Sequence, residues 1–210
     1  MEESYRSVAK EHKIEFSEKK SRFIGQVAPV QSLEEATAFL EKVCSAHPQA
    51  THNVWAYRLG IYGQQQRFSD AGEPSQTAGL PTLDVILKQD ITQVIIVTTR
   101  YFGGILLGAG GLVRAYSKAA AEVVSEAGIV TYALKDKYRL TIGYSEWGII
   151  KSQCEKREWL LEEIEYLEKV SFNVIIPTAD IEELKNLVQN ITGGNPALEF
   201  LTCLYLPLKN

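Results

Sequence analysis

Along this 210-residue chain the spacing of apolar positions changes from segment to segment, and each spacing predicts an element. Over 32–44, "SLEEATAFLEKVC", the residues Ala36, Phe39, Leu40, Val43 and Cys44 recur three and four apart. They follow a capping box of Ser32 and Glu35, so a helix is predicted. "HNVWAYRLGIY" at 52–62 alternates instead, with Trp55, Tyr57, Leu59 and Ile61 on one face and His52, Val54, Ala56 and Arg58 on the other, which predicts a strand. "QVIIVTT" at 93–99 is a short apolar run rich in β-branched residues, the mark of a buried strand. Further on, Val113, Tyr116, Ala120, Val123, Val124 and Ala127 predict a helix that ends at Gly128.

A charged joint, "LKDK" at 134–137, separates this pattern from a second one. "KYRLTIGY" alternates as a strand, and "SEWGIIKSQCEKRE" predicts a helix capped by Ser145. "WLLEEIEYLEKVSFNVIIP" is long enough for two strands joined tightly near Leu167 to Lys169. "ADIEELKNLVQNITGGNP" predicts a helix with the stripe Ile181, Leu184, Val188 and Ile191, ended by "GGNP", and "ALEFLTCLYL" closes as a strand. The order βαββαβ is that of a ferredoxin-like sandwich. The expectation is therefore an α+β protein of two domains, residues 1–134 and 135–210.

Composition narrows the function classes. Hydrophobic content of 45% and charged content of 23% are those of a soluble globular chain. The charged opening "MEESYRSVAKEHKIEF" is unlike a secretory signal, and the longest uncharged glycine-rich run, 101–113, is too short to span a bilayer. Cys44, Cys154 and Cys203 are far apart and in no CxxC spacing, so reduced, mostly buried thiols in a cytoplasmic protein are expected. No metal-ligand spacing and no Ser/His/Asp or Cys/His nucleophile arrangement is legible, so no cofactor or metal is expected. The net charge of −4 places any nucleic-acid contact on a local patch. The second half, with twelve acidic against nine basic residues, is not that patch.

Chemistry concentrates in two stretches. "TTRYFGGILLGAGGLVRAYSKAA" at 98–120 holds five of the fifteen glycines and three basic residues, with no acidic one. It lies between a predicted strand and a predicted helix, where exposed N–H groups and close backbone approach make an anion cradle. Arg100, Gly103, Gly104, Gly108, Gly110, Gly111, Arg114 and Lys118 are the candidate anion or nucleic-acid contacts. Arg114 and Lys118 share one helix face, and Arg22 and Arg58 are weaker members. Neither GxxxxGK[ST] nor GxGxxG is matched, which leaves nucleotide hydrolysis unsupported. The same glycines also serve as a turn and a site of close packing, and the weight between the two uses is nearly even.

"SDAGEPSQTAGLP" at 69–81 is a second polar loop, with Asp70, Glu73, Ser75 and Thr77. Its carboxylates suit backbone capping better than metal or acid–base chemistry, because no histidine or third acid accompanies them. His12, His47 and His52 are weak candidates. Tyr101, Phe102 and the run Ile105 to Leu107 offer a possible apolar face for a protein partner.

These two stretches, with "KKSRFIG" at 19–25 and "HNVWAYRLG" at 52–60, resemble the YigZ/IMPACT family in the right order, and "RYFGGILLGAGGLVRAY" is close to that family's signature. Ala71 departs from it, standing where the "SDDGEP" form of the loop has a second Asp. The resemblance implies a left-handed βαβ domain like that of a ribosomal small-subunit protein, shared with elongation factor G domain IV and GHMP kinases. With the ferredoxin-like domain behind it, the pair looks like elongation factor G domains IV and V. It implies that eukaryotic relatives regulate translation through protein partners, and it points to RNA or the ribosome as partner of bacterial ones. Two functions are consistent with all of this. The first is a non-enzymatic binding protein of translation that contacts RNA phosphates through the glycine segment. The alternative is an enzyme or sensor for a small phosphorylated ligand, with a GHMP-kinase-like cradle. They differ in whether the two loops converge on a closed pocket or spread over an open face.

Overall fold

The computed structural model describes residues 3–194 and 198–208. It divides into two compact units, one of Tyr5–Thr131 and one of Met1–Ser4 with Tyr132–Asn210. The architecture is α+β throughout, with antiparallel sheets.

In the Tyr5–Thr131 unit, β2 (His12–Glu18), β3 (Ser21–Pro29), β4 (His52–Leu59), β5 (Gln65–Ser69) and β6 (Val94–Tyr101) form a sheet in the order β2-β3-β6-β4-β5. β1 is Ser4–Val8. β6 is the central strand, and seven of its eight residues are buried, as its continuous apolar run requires. Alternation sorts the sheet's side chains onto two packed faces. On one face Tyr57, Leu59, Ile95 and Val97 pack with Ala36, Phe39 and Val43 of α1 (Leu33–Ala46). On the other, Val27, Ala56, Val94 and Ile96 pack with α2 (Gly79–Lys88) and α3 (Ala109–Ala127).

Helix ends follow local chemistry. Ser32 accepts from Glu35 N at 3.2 Å, while the Glu35 carboxylate accepts from Gln31 N at 2.7 Å, one residue ahead of the cap. The N-cap of α2, Ala78, has no capping side chain of its own. Asp70, eight residues earlier in the chain, accepts from Ala78 N at 3.0 Å, Gly79 N at 2.8 Å and Gln76 N at 2.9 Å. α3 ends at Gly128. Its buried stripe runs through Leu112, Ala115, Tyr116, Ala119, Ala120, Val123, Val124 and Ala127, whereas Val113, expected inside, is 37% exposed.

In the second unit, β7 (Ile129–Ile142), β8 (Leu160–Tyr166), β9 (Val170–Pro177) and β10 (Leu198–Pro207) take the order β10-β7-β9-β8. α4 (Tyr144–Lys156) and α5 (Ile181–Thr192) supply the two helices of the ferredoxin-like βαββαβ succession. Leu140, Phe172, Val174 and Ile176 meet Ile150, Cys154, Leu184 and Val188 in one core. The tight connection is closed by Leu167 N donating to Lys169 O at 3.0 Å. Ser145 does not cap α4. The cap is Gly143, and the Ser145 hydroxyl donates to Glu146 instead. α5 ends on Gly193, and the Asn195-Pro196 part of the expected stop lies outside the described residues, as does Ala197 of the expected last strand. All three cysteines are free, but only Cys154 is buried, and Cys203 is exposed at a sheet edge rather than inside. Among the described residues no helix is long and apolar enough to cross a membrane.

Candidate functional site

The site is built on the central strand of the first sheet. Arg100, near the end of β6, stands opposite Phe23 of β3 and His52 of β4 in the strand register, so the three share the face that α3 covers. A guanidinium there must be paired, because an isolated charge in a core is prohibitive. Arg100 Nη1 donates to Glu73 Oε1 at 2.7 Å, and Nη2 approaches Ser21 Oγ at 3.3 Å. Tyr116, wholly buried on α3, donates its hydroxyl to the same Glu73 oxygen at 2.7 Å. Burial, and after it the bond to Glu73, pushes the Tyr116 hydroxyl far above the ordinary phenol range, so it remains a donor. The side chains of Arg100 and Glu73 are 5% and 3% exposed. The guanidinium plane also lies 5.5 Å from the Phe23 ring centroid and 5.4 Å from that of Phe102.

His52 completes the cluster. Its Nδ1 lies 2.9 Å from the carbonyl oxygen of Ala71, and its Nε2 lies 3.8 Å from Glu73 Oε2. The polar loop and the glycine segment therefore converge. Together with Thr51 and His52 they line a cavity of about 350 Å³ whose walls include Glu73, Arg100, Phe102, Leu106, Gly108 and Leu112. The N-terminus of α3 opens on this cavity through Gly108 and Ala109. It has no capping side chain and no acidic residue in its first turn, so its N–H groups carry an uncompensated positive end.

The candidate residues separate into distinct roles. Gly103 is required by packing, since a Cβ there would come 1.9 Å from the Lys20 carbonyl oxygen. Gly108 has φ +73° and nothing within 4 Å of a Cβ position, so its use is conformational, turning the chain into α3 beside the open cavity. Gly104 is exposed, as is Gly110, while Gly111 packs against Leu107. Arg100 is an interior residue whose Nη1 is bonded to Glu73, and it also lines the cavity. Arg22 is held by Glu15 at 2.7 and 2.8 Å, and Arg58 by Asp90 and the Ile91 carbonyl. Arg114 and Lys118 are exposed and do not line the cavity; with Phe16, Glu18 and Lys19 they line a separate recess of about 180 Å³ that shares Leu107 with it. Lys118 Nζ lies 4.5 Å above the Phe16 ring and 3.8 Å from Glu122.

In the polar loop, Asp70 and Glu73 part company: the first caps α2, and the second enters the core. Thr77 Oγ1 donates to Pro74 O at 2.6 Å, and Ser75 is exposed. Tyr101 pairs its hydroxyl with His47 Nδ1 at 2.9 Å, while Phe102, Ile105 and Leu106 are 44%, 41% and 81% exposed. Among the described residues no three His, Cys, Asp or Glu side chains are placed to hold a metal ion. Sequence reasoning ranked His52 only as a weak candidate and did not single out Tyr116 as a site residue. The signal for both was cross-strand and cross-element: His52 opposes Arg100, and Tyr116 lies on the buried stripe above it.

Comparison with known proteins places this arrangement. Residues 19–124 match the model of the Impact N-terminal domain, which spans half of the chain. This chain belongs to the IMPACT family. Residues 140–195 match a second model, a domain of unknown function, DUF1949. IMPACT family member YvyE of Bacillus subtilis (strain 168) is 36% identical over 203 residues, covering 97% of this chain and 94% of that one. IMPACT family member YigZ of Escherichia coli (strain K12) is 32% identical, over 84% and 88%. Protein IMPACT of Mus musculus is 32% identical over 46% of this chain and 31% of its own length. A solved structure described as "Crystal structure of an hypothetical protein" is 30% identical, covers 96% of this chain and 98% of that one, and superposes with a TM-score of 0.64. The Impact N-terminal match takes in every residue of the buried cluster, Ser21, His52, Glu73, Arg100 and Tyr116.

Proposed function

We propose that this protein is a binding protein of translation control whose first unit takes a small ligand bearing one anionic group, phosphate or carboxylate. The observation that carries the reading is the convergence of the polar loop and the glycine segment on one cavity. An anion is favoured at its mouth by the bare N-terminus of α3. The interior charges of Arg100 and Glu73 offset each other, so the helix end decides the sign of the ligand group it receives. Translation control is the setting that the family resemblance implies for the eukaryotic relatives.

The test is a thermal-shift panel of phosphate monoesters, nucleotides and carboxylates against wild type and Ala109→Glu. A ligand that binds only the native state at a hundred times its Kd adds about 2.7 kcal/mol of stability, which a melting curve resolves. The variant places its own carboxylate at the helix end, which the macrodipole tolerates or mildly favours. It is expected to melt no lower than wild type while losing the ligand-induced shift. A panel with no stabilising member, or a variant that keeps the shift, counts against the pocket.

A second reading is favoured by one observation: Lys19, Arg114 and Lys118 meet on a single exposed recess outside the cavity. There they form a phosphate-contacting patch for RNA. Binding to a structured RNA is expected to fall steeply with salt and to fail for Arg114→Glu. Salt-independent binding would remove this reading and leave the pocket untouched.

A further inference from the structure

Two hydrogen-bond acceptors face each other on the cavity wall. The Ala71 carbonyl can only accept, so its 2.9 Å contact requires the proton of His52 to sit on Nδ1. In the neutral ring Nε2 is then a lone pair. Glu73 gives Oε1 to both Arg100 and Tyr116, whereas Oε2 has no hydrogen bond among the described residues, and its near neighbour is that same Nε2 at 3.8 Å. Although the Glu73 side chain is 97% buried, this oxygen is not sealed in the core, and on the cavity wall it is open to a donor brought in by a ligand. Two acceptors 3.8 Å apart leave room for a single donor atom bound to both, and a group with several N–H bonds and a positive charge satisfies a lone pair and a carboxylate together.

The same cavity presents the opposite demand at the N-terminus of α3, whose N–H groups need an anion. Between these polar ends the walls are apolar: Pro74, Phe102, Leu106, Leu107 and Leu112. About 350 Å³ is at the small end of ligand sites. A cation site, an anion site and an apolar wall in one small cavity describe a zwitterion with an apolar substituent. We infer that the cavity is a receptor for a free α-amino acid with an apolar side chain. Its ammonium group is held by Glu73 Oε2 and His52 Nε2, its carboxylate by the first N–H groups of α3, and its side chain by Phe102, Leu106 and Leu112. The assignment rests on the cavity being an anion-accepting ligand site and specifies which ligand chemistry fills it.

Titration calorimetry of the full chain at pH 8 with L-leucine, L-methionine and L-phenylalanine reads the outcome, with N-acetyl-L-leucine, L-leucinamide and glycerol phosphate as controls. At least one amino acid is expected to bind. For an L-leucine site the N-acetyl and amide forms, each lacking one charge, are expected to bind about tenfold more weakly or worse. His52→Ala is expected to weaken amino-acid binding by about tenfold while keeping the native circular dichroism spectrum, since the ring is at the cavity wall and not in the core. If the acetylated and free amino acids bind equally, the ammonium site is wrong and the assignment falls. If glycerol phosphate binds and no amino acid does, the assignment falls while the anion pocket stands. If neither class binds, both fall.

Discussion

The two units handle charge in opposite ways. In the first, Arg100, Glu73 and Tyr116 are sealed between a sheet and a helix, and His52 alone keeps a modest exposure of 18%. In the second, Lys137 and Arg139 on β7 reach across the sheet surface to Glu162, Glu163 and Glu165 of β8, whose carboxylates are 47–60% exposed. The second cluster holds more charged groups than the Arg100–Glu73 pair, but the deciding difference is the dielectric around them. In the second unit water screens each pair through its half-exposed carboxylate, and losing Lys137 or Arg139 leaves its glutamates solvated. In the first, a removed partner leaves a bare charge on a side chain only 3–5% exposed, where solvent compensates little. A fold gains little net stability from such an interior cluster, because well-packed apolar residues would serve as well or better. That it lies on a cavity wall makes ligand chemistry the better account of its presence.

The comparison breaks most sharply at Arg100. Arg100→Met keeps much of the side-chain volume but abandons the Glu73 carboxylate in the core, with Tyr116 as its remaining donor. Unfolding in urea is expected to show a loss of about 3–5 kcal/mol. A loss below about 1 kcal/mol would mean that water reaches Glu73 freely, and the cluster would then be no different in kind from the β7–β8 pairs.

Asp70→Ala is the intermediate case. It leaves the cluster intact but removes the acceptor of three backbone N–H groups at the start of α2. The N-cap, Ala78, offers no substitute. A loss of about 1–2 kcal/mol in the same urea experiment is expected. Because Asp70 and Glu73 belong to one short loop, a loss as large as that of Arg100→Met would show that the loop, and not the buried charge, is what the cluster depends on.

How far the sequence revealed this follows the range of the interactions. Elements whose evidence is local were legible: the stripe of α5, the apolar run of β6, the glycine stop of α3 and the capping box of α1 all act within a few residues. The Ser145 cap was misplaced by two residues because Gly143 takes the extended backbone that a cap needs, leaving Ser145 already inside the helix. The glycine segment announced a helix N-terminus open to anions, but its three basic residues read as one group. Strand parity separates them, sending Arg100 inward, while helix pitch turns Arg114 and Lys118 outward. No local pattern pairs Arg100 with Glu73, 27 residues earlier, or with Ser21, 79 residues earlier. The cluster appears only once the strand register is known.

The smallest expected effect is the other half of the comparison. Lys137 Nζ lies 3.2 Å from Glu162 and 3.1 Å from Glu163, and those bonds lower the Glu163 carboxyl and raise the Lys137 ammonium relative to their ordinary values. For Glu163, a folded-state value below the unfolded one means that its contribution is present above the unfolded carboxyl range and fades as pH falls through the lowered one. For Lys137, a raised value means a contribution present below the ordinary lysine range that is lost as pH rises through the folded one. Between the two, near neutral pH, both partners are charged and the pair is at its fullest. Yet it lies at the surface, and its strength should be spent largely on screening. Glu163→Gln is therefore expected to leave the urea midpoint at pH 7 unchanged within error, at both low and high salt. A clear, salt-sensitive drop would show that the sheet face of the second unit holds its charges in a drier setting than their exposure indicates. The contrast between the two units would then be one of degree.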